Sequence, residues 1–542
     1  MLTKSALVTL LGAASSAAAD VYTVPSQPNA NGEPLDGFVS YSIEFASFPD
    51  FAGNKSSPNT FSYNLINNLG ALQGHKPYIR VGGNTQDYAL YNKSQKASLI
   101  GIVDPHRSPD YPTTIHIGDA YFESYGTWPG VQFSHGFNLG LGANRSEGWE
   151  TLADTVPLAC KALSHGNIYT WEYGNEPDLF STSAQGPVRP SNWNESTYAW
   201  QWLNGTAEIT KQVKKHCPAL ALFGGPKFMA PSFAGTGNRL KAPLTFQDGI
   251  DKNKNIEYFS THNYISGATS LGVTLQGTLM NHNRTVSSVQ GHLPEYNAIF
   301  TTAQAQKATP LIFGECNSLY NQGRPGLSNT FGAALWGIDF NLYAASVGFK
   351  RVHMHMGTNY RYQAWQPVET DLASRGTKAP YYGSVAVAAT LGNQELLPVS
   401  ITNIPLADAH EAAYAAHYSS GLLKGHLARL TVLNMRGYNT TVDGEGLESV
   451  PNPPPRPSQT YTFAVSGARN GAHVGVQRLL ANGSDAITGI TFDGWSYNYE
   501  LAKGRPVRLH NVTVGETAVV RNGQVTVEVP DSSAVLLNFP LL

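Results

Sequence analysis

The sequence predicts an α/β protein: a (β/α)8 TIM barrel with a C-terminal antiparallel β-sandwich domain. Three observations carry this. The chain has 542 residues, more than one simple core accommodates. From about residue 38 to 390, short apolar runs alternate with longer helix-compatible stretches, the rhythm of a parallel sheet with crossover helices. Beyond about residue 390 the runs are short or alternating and set apart by Asn, Gly and Asp turns, as in a sandwich.

Residues 1–19 read as a signal peptide. Lys4 precedes the apolar run Ala6 to Ala14, and Ser15 to Ala19 forms the small-residue end, with cleavage expected after Ala19. The run is too short to span a bilayer, and no later segment is long and apolar enough. The mature protein is therefore expected to be secreted, extracellular and without a membrane partner. N-x-S/T sequons at Asn54, Asn92, Asn144, Asn194, Asn204, Asn283, Asn439, Asn482 and Asn511 agree with export and with glycosylation.

Residues 20–37 hold a strand-like stretch, Val21 to Pro25, which precedes the barrel and is a possible extra strand of the sandwich. Residues 38–390 form the expected barrel. Its strands are read at Phe38–Glu44, Pro77–Gly83, Gly136–Gly142, Ile168–Asn175, Ala219–Gly225, Tyr258–Ile265, Pro310–Glu315 and Phe349–Met356. Helix-compatible stretches lie between them, among them Ser196–His216 and Asn329–Val347. Residues 391–542 form the expected sandwich, with strands at Leu427–Leu433, Thr460–Val465, Gly489–Thr491 and Gln524–Val529. The run Asn452–Pro457 is a Pro-rich loop, too short for a domain linker.

Composition excludes some classes. A formal net charge of -2 with 14% charged residues gives no electrostatic case for nucleic acid. The densest basic run, Lys211 to His216, reads as the solvated face of a helix. Of three cysteines, Cys160 and Cys217 could form a bridge or remain buried thiols, and Cys316 reads as a small buried side chain. The sequence does not report the oligomeric state; a monomer is favoured.

In a barrel of this kind, reactive groups sit where strands end. Glu176 follows the fourth strand in Gly174-Asn175-Glu176-Pro177, where proline stops the sheet pairing. Glu315 ends the apolar run Leu311-Ile312-Phe313-Gly314 of the seventh strand. Two strand-end carboxylates supply what glycosidic cleavage needs: one protonated acid for the leaving oxygen and one ionised group facing the anomeric carbon. Glu176 is read as the general acid/base and Glu315 as the nucleophile of a retaining glycoside hydrolase. His353 and His355 share a strand face but have no third ligand at convincing spacing, so no metal or other cofactor is expected. Arg80 and Asp87 read as a structural ion pair at the rim.

Further motifs narrow the class: Arg80-Val81-Gly82-Gly83-Asn84-Thr85-Gln86-Asp87 at the second strand, His262-Asn263-Tyr264 at the sixth, and Gly357-Thr358-Asn359-Tyr360 after the eighth. Their order along the barrel resembles glycoside hydrolase family 79, in its secreted fungal β-glucuronidase branch, related to heparanase. The resemblance implies removal of terminal β-D-glucuronic acid, or its 4-O-methyl ether, from polysaccharides or glycoproteins such as arabinogalactan. It implies that Asn175 binds the sugar 2-hydroxyl. It also implies that Tyr320, Tyr360 and the Thr358 backbone N–H receive the uronate carboxylate, and that Glu44, Asn84, His262 and Tyr264 line the sugar site. The absence of basic clusters in the sequence speaks against a heparan sulfate substrate. Two alternatives stay open at this point: another retaining barrel glycosidase, such as a β-xylosidase or β-glucosidase, and an inactive carbohydrate-binding homologue.

Overall fold

The computed structural model describes residues 20–142, 145–183, 186–300 and 308–541. The signal-like segment 1–19 and the sequon at Asn144 lie outside the described residues. Eight parallel strands close into a barrel: β1 (Val39–Glu44), β2 (Ile79–Gly82), β3 (Phe133–Phe137), β4 (Ile168–Tyr173), β5 (Phe228–Phe233), β6 (Ile256–Gly267), β7 (Leu311–Tyr320) and β8 (Arg351–Met356). β8 pairs with β1 and closes the ring.

Two barrel strands lie elsewhere than the sequence reading puts them, and in the sandwich the strand read at Gly489–Thr491 is found at Thr491–Phe492. The third lies earlier than Gly136–Gly142, because the Asn138 side chain accepts hydrogen bonds from the Leu141 and Gly142 N–H groups and folds that stretch into a turn. The fifth is not Ala219–Gly225. Pro218 opens a short helical turn there, Pro218–Ala221, and Gly224 and Gly225 at φ 102° and 79° break the chain before the true strand begins at Phe228. Pro231 inside β5 masks it from a reading that keeps proline out of central strands.

Four helices bear on the disulfide and on the join between barrel and sandwich: α1 (Ser146–Ala162), α2 (Glu195–His216), α3 (Phe331–Ser346) and α4 (Ala379–Leu391). A Cys160–Cys217 disulfide ties the last turn of α1 to the end of α2, which settles the choice left open by the sequence. Cys316 is a buried free thiol. Lys214, Lys215 and His216 occupy the last turn of α2, where the helix carbonyls favour positive charge. α3 and α4 are buried almost all round. They are the layer between barrel and sandwich: the Tyr414 hydroxyl donates to Asp339 of α3, and the Thr390 hydroxyl of α4 meets that of Thr431.

The sandwich contains β9 (Val399–Ile404), β10 (Glu411–Tyr418), β11 (Leu427–Asn434), β12 (Ser458–Ala464), β13 (His473–Leu480), β14 (Gln524–Pro530) and β15 (Ser533–Asn538). The N-terminal strand Val21–Thr23 joins it, parallel to β12 with Val21 opposite Thr462. Its separate core is built of residues such as Val432, Phe463, Val527 and Leu537. Among the described residues, no helix is long and apolar enough to cross a membrane.

Candidate active site

Strand alternation and register assemble the mouth of the barrel. On β1, period two puts Ser42 and Glu44 on one face. Parallel pairing sets Ser42 beside Arg80 on one side and His355 on the other. The β6–β7 pairing slips between Thr261 and His262, so that Phe313 faces Thr261 but Glu315 faces His262. Gly314 is the extra residue of this irregularity, and a Cβ there would stand 2.1 Å from the Ser260 hydroxyl oxygen. Without the slip, Glu315 would share the face of Phe313, which stacks on Phe349 away from the site; the extra glycine re-aims it inward.

The turn after β4 is shaped as closely. Gly174 takes φ 88°, where a Cβ would meet Leu139 at 2.5 Å. Glu176 itself is left-handed, at φ 50° and ψ 50°, a conformation that costs a non-glycine residue about 1 kcal/mol or more. Asp87 holds this turn with three backbone hydrogen bonds, from Leu139, Gly140 and Asn175. The expected Arg80–Asp87 ion pair therefore does not form: Asp87 is a backbone clamp, and Arg80 points into the barrel.

Arg80 is fully buried and divides its donors among four partners. Nε donates to Glu172 at 2.8 Å, Nη1 to Ser42 at 3.0 Å and to Glu315 at 2.5 Å, and Nη2 to Asn175 at 2.7 Å. Tyr264 donates its hydroxyl to the other Glu315 oxygen at 2.7 Å. His355 lies 3.6 Å from Glu315 and 3.4 Å from Glu44. Burial by itself would raise the Glu315 pKa, but the charges of His355 and Arg80 and the Tyr264 hydrogen bond outweigh it and hold the carboxyl well below its ordinary range. Glu176 has the opposite environment. Burial, then the charge of Glu315, push its pKa well above the carboxylate range. Its Oε1 lies 2.9 Å from Nδ1 of His262, which burial keeps neutral with a pKa lowered to about 4.

One carboxylate oxygen from each of Glu176 and Glu315, together with a ring nitrogen of His262, lie within 4.8 Å of one another. Those three groups could in principle hold a cation. Arg80 and Tyr264 already occupy both Glu315 oxygens, and the guanidinium beside them opposes a further positive charge. Oxygens this near one another fit a retaining pair, with carboxyl groups about 5–5.5 Å apart, and not an inverting pair at about 6.5–9.5 Å. One group is held ionised and the other protonated, which is the division that glycosidic cleavage requires.

The remaining residues named from sequence fall into two groups. Glu44, Asn84, Asn175, His262, Tyr264 and Tyr360 are brought together. Asn175 donates to Asn84 at 3.0 Å, Asn84 donates to Tyr111 at 3.0 Å, and Tyr360 donates to Glu44 at 3.1 Å. Glu44 also accepts from the backbone N–H and hydroxyl of Thr85. Tyr320 and Thr358 are not brought in as expected. Tyr320 is the last residue of the long β7, 47% exposed, with its hydroxyl 3.5 Å from that of Ser270. Tyr264 is the phenol that reaches Glu315. The Thr358 N–H donates to Ser47 and its hydroxyl to Asp50, so the backbone donor assigned to a carboxylate is already spent. His353 has both ring nitrogens engaged, by the Phe313 carbonyl and the Tyr169 hydroxyl. Glu172 and Ser42 have no part in the sequence reading, and His355 enters it only as one of two histidines without a third ligand. A glutamate inside the otherwise apolar Ile168–Tyr173 was the available signal for the first.

Comparison with known proteins gives the family. Residues 413–536 match the model of the glycosyl hydrolase family 79 C-terminal beta domain. A protein of Neurospora crassa named beta-glucuronidase is 60% identical over 510 residues, covering 91% of this chain and 89% of that protein. One of Aspergillus niger with the same name is 53% identical over 507 residues, covering 93% and 91%. The solved structure of a 4-O-α-L-rhamnosyl-β-D-glucuronidase from Fusarium oxysporum 12S, in complex with Rha-GlcA, superposes with a TM-score of 0.72 at 25% identity, covering 96% of this chain and all of that one. With this identity along almost its whole length, and with this fold, the chain belongs to glycoside hydrolase family 79.

Proposed function

We propose that the chain is a secreted, retaining β-glucuronidase that removes terminal β-D-glucuronic acid, or its 4-O-methyl ether, from polysaccharides or glycoproteins such as arabinogalactan. The observation that carries the reaction type is the carboxylate pair: an oxygen of Glu176 and one of Glu315 within 4.8 Å, the first group held protonated and the second ionised. Glu315 attacks the anomeric carbon while Glu176 gives its proton to the departing oxygen. Esterification removes the Glu315 charge, so the Glu176 pKa falls and it becomes the base that takes a proton from water. The water then displaces Glu315, and two inversions restore the β-configuration. Arg80 and Tyr264 hold the Glu315 carboxylate in place, and Asn175 is oriented by Arg80 and Asn84 for the sugar 2-hydroxyl.

The uronate reading is supported by the two curated relatives named beta-glucuronidase. Of the three donors assigned to the carboxylate, Tyr360 is the one that stands among the site residues, through Glu44, and to serve it must turn from Glu44 to the sugar. His355, which like Tyr360 reaches Glu44, supplies what the sequence reading lacked, a group able to carry positive charge beside Tyr360. Burial works against that charge, but Glu315 and Glu44 more than offset it and raise the His355 pKa. Export is supported by the signal-like start and by the sequons: Asn54, Asn92, Asn194, Asn204, Asn283, Asn439, Asn482 and Asn511 are all exposed or half-buried.

The test is a panel of aryl β-glycosides that differ only at C5 and C6. Aryl β-glucuronide is expected to be cleaved far faster than the β-glucoside or β-xyloside. Tyr360→Phe narrows that gap by losing activity on the glucuronide, since a hydrogen bond to a charged group is worth about 1.5–3 kcal/mol. Equal rates on all three substrates would remove the uronate site and leave another glycosidase in its place.

A further inference from the structure

The sandwich carries a groove of about 830 Å³ at the end where β10 finishes and β11 begins. This is the side of the molecule where the barrel strands start. β9 pairs Val399 with Tyr418, Ile401 bonds to Gly32, and the neighbouring carbonyls of Asn31 and Glu33 accept from Lys350, one residue before β8. The groove is thus at the opposite end from Glu176 and Glu315, which stand where strands finish.

Its lining is unlike the rest of the surface. Lys424, His426, Arg469 and His473 lie along it, and among the described residues none that line it is a carboxylate. That bias stands out in a chain whose net charge is -2. Phe539 adds an aromatic ring to the wall. His417, 2% exposed, is part of the groove wall, and its Nδ1, buried within that wall, has no partner among the described residues. The ring also bonds to the Pro25 backbone, and burial keeps it neutral. Nδ1 is therefore left as an acceptor just beneath the groove surface, one that a hydroxyl can meet and an anion cannot. Cations for carboxylates, an acceptor for hydroxyls and a ring for stacking occur together in a cleft of the size that ordinarily takes a small ligand.

We infer that this groove is a second, non-catalytic binding site for a stretch of uronate-bearing oligosaccharide. The inference rests on the proposal that the substrate is an acidic glycan, and it gives the enzyme a hold on the polymer away from the bond being cut. Such a hold adds to the affinity for a long chain and leaves a small substrate untouched.

The test uses the full chain and a linear α-linked tetragalacturonate, which offers no β-glucuronide to cleave, with binding read by calorimetry. Wild type is expected to bind it, and Lys424→Glu combined with Arg469→Glu to weaken binding at least about ten-fold. Reduction of the probe's carboxylates to alcohols should weaken binding by a similar factor. Lys424→Ala alone should act in the same direction with a smaller effect. Turnover of aryl β-glucuronide stays unchanged in these variants, which also reports that they fold. The inference is overturned if the wild type does not bind, if charge reversal leaves affinity unchanged, or if the reduced probe binds equally well. It is also overturned if inorganic polyphosphate binds as tightly, which would make the groove a general anion surface. Failure of the wild type to cleave the aryl β-glucuronide would strike the functional proposal, while the binding comparison would still decide the groove.

Discussion

In the sandwich, Val432, Phe463, Val527 and Leu537 close a core made of aliphatic and aromatic side chains, and a charge such as Glu411 is paired at the edge with Arg436. At the mouth of the barrel, Arg80, Glu172, Glu315, His355 and Glu44 are all buried within reach of one another. The first arrangement is what folding favours. The second is expensive, because each desolvated charge must be matched by a partner merely to break even. The cost recurs in the backbone: Glu176 sits in a left-handed conformation and Gly314 interrupts the strand ladder. What the contrast teaches is where stability and chemistry are stored. The sandwich should carry stability without chemistry, and the barrel mouth chemistry at the expense of stability.

The largest effect expected on the chemistry is that of Glu315→Gln, which should lower turnover of aryl β-glucuronide by about 10⁴-fold or more. The protein still folds. Because the Glu315 pKa is depressed, its ionised form stabilises the fold above the ordinary carboxylate pKa, and this is lost as pH falls through the folded value. The variant should therefore melt lower than wild type at neutral pH, with the gap closing in strong acid. A Tm gap that widens with acidification would contradict the assigned electrostatics.

Phe463→Ala sharpens the comparison from the other side. Emptying this sandwich position should cost about 3–5 kcal/mol in denaturant unfolding, while kcat per folded molecule stays at the wild-type value. A fall in kcat would show that the sandwich is coupled to the reaction.

The smallest effect is the most discriminating. The raised pKa of Glu176 means that folding prefers it protonated. That contribution is fully present below the ordinary carboxylate pKa, about 4.3, and is lost as pH rises through the folded value. Glu176→Gln cannot ionise, so it should be more stable than wild type by about 1 kcal/mol at neutral and mildly alkaline pH, with no difference in acid. Calorimetry across pH measures it. A variant less stable than wild type at neutral pH would mean that Glu176 is ionised in the free protein.

Much of this was legible in the sequence because it is local. A run of apolar residues ending in glutamate marks Glu315, and Asn-Glu-Pro at a strand end marks Glu176. The strand rhythm failed at β5, where Pro231 lies inside the strand and the Gly224-Gly225 break lies just before it. The rest needed register. That Tyr264 and not Tyr320 reaches Glu315 comes from β7 running on to Tyr320, far past the site. The true partners of Arg80, and the roles of Glu172 and His355, depend on which strand-interior positions meet across a closed barrel. Nothing in the spacing of a single strand reports that.

In the proposed reaction Glu315 becomes covalently linked to the sugar while Glu176 only moves protons. An aryl 2-deoxy-2-fluoro-β-glucuronide with a good leaving group tests it directly, since the fluorine slows hydrolysis of the glycosyl ester. After incubation, proteolysis and mass spectrometry should find the fluoroglucuronosyl mass on the peptide containing Glu315, with Glu176 unmodified. The sugar on the Glu176 peptide would contradict the account, as would steady turnover to an inverted product with no labelled peptide.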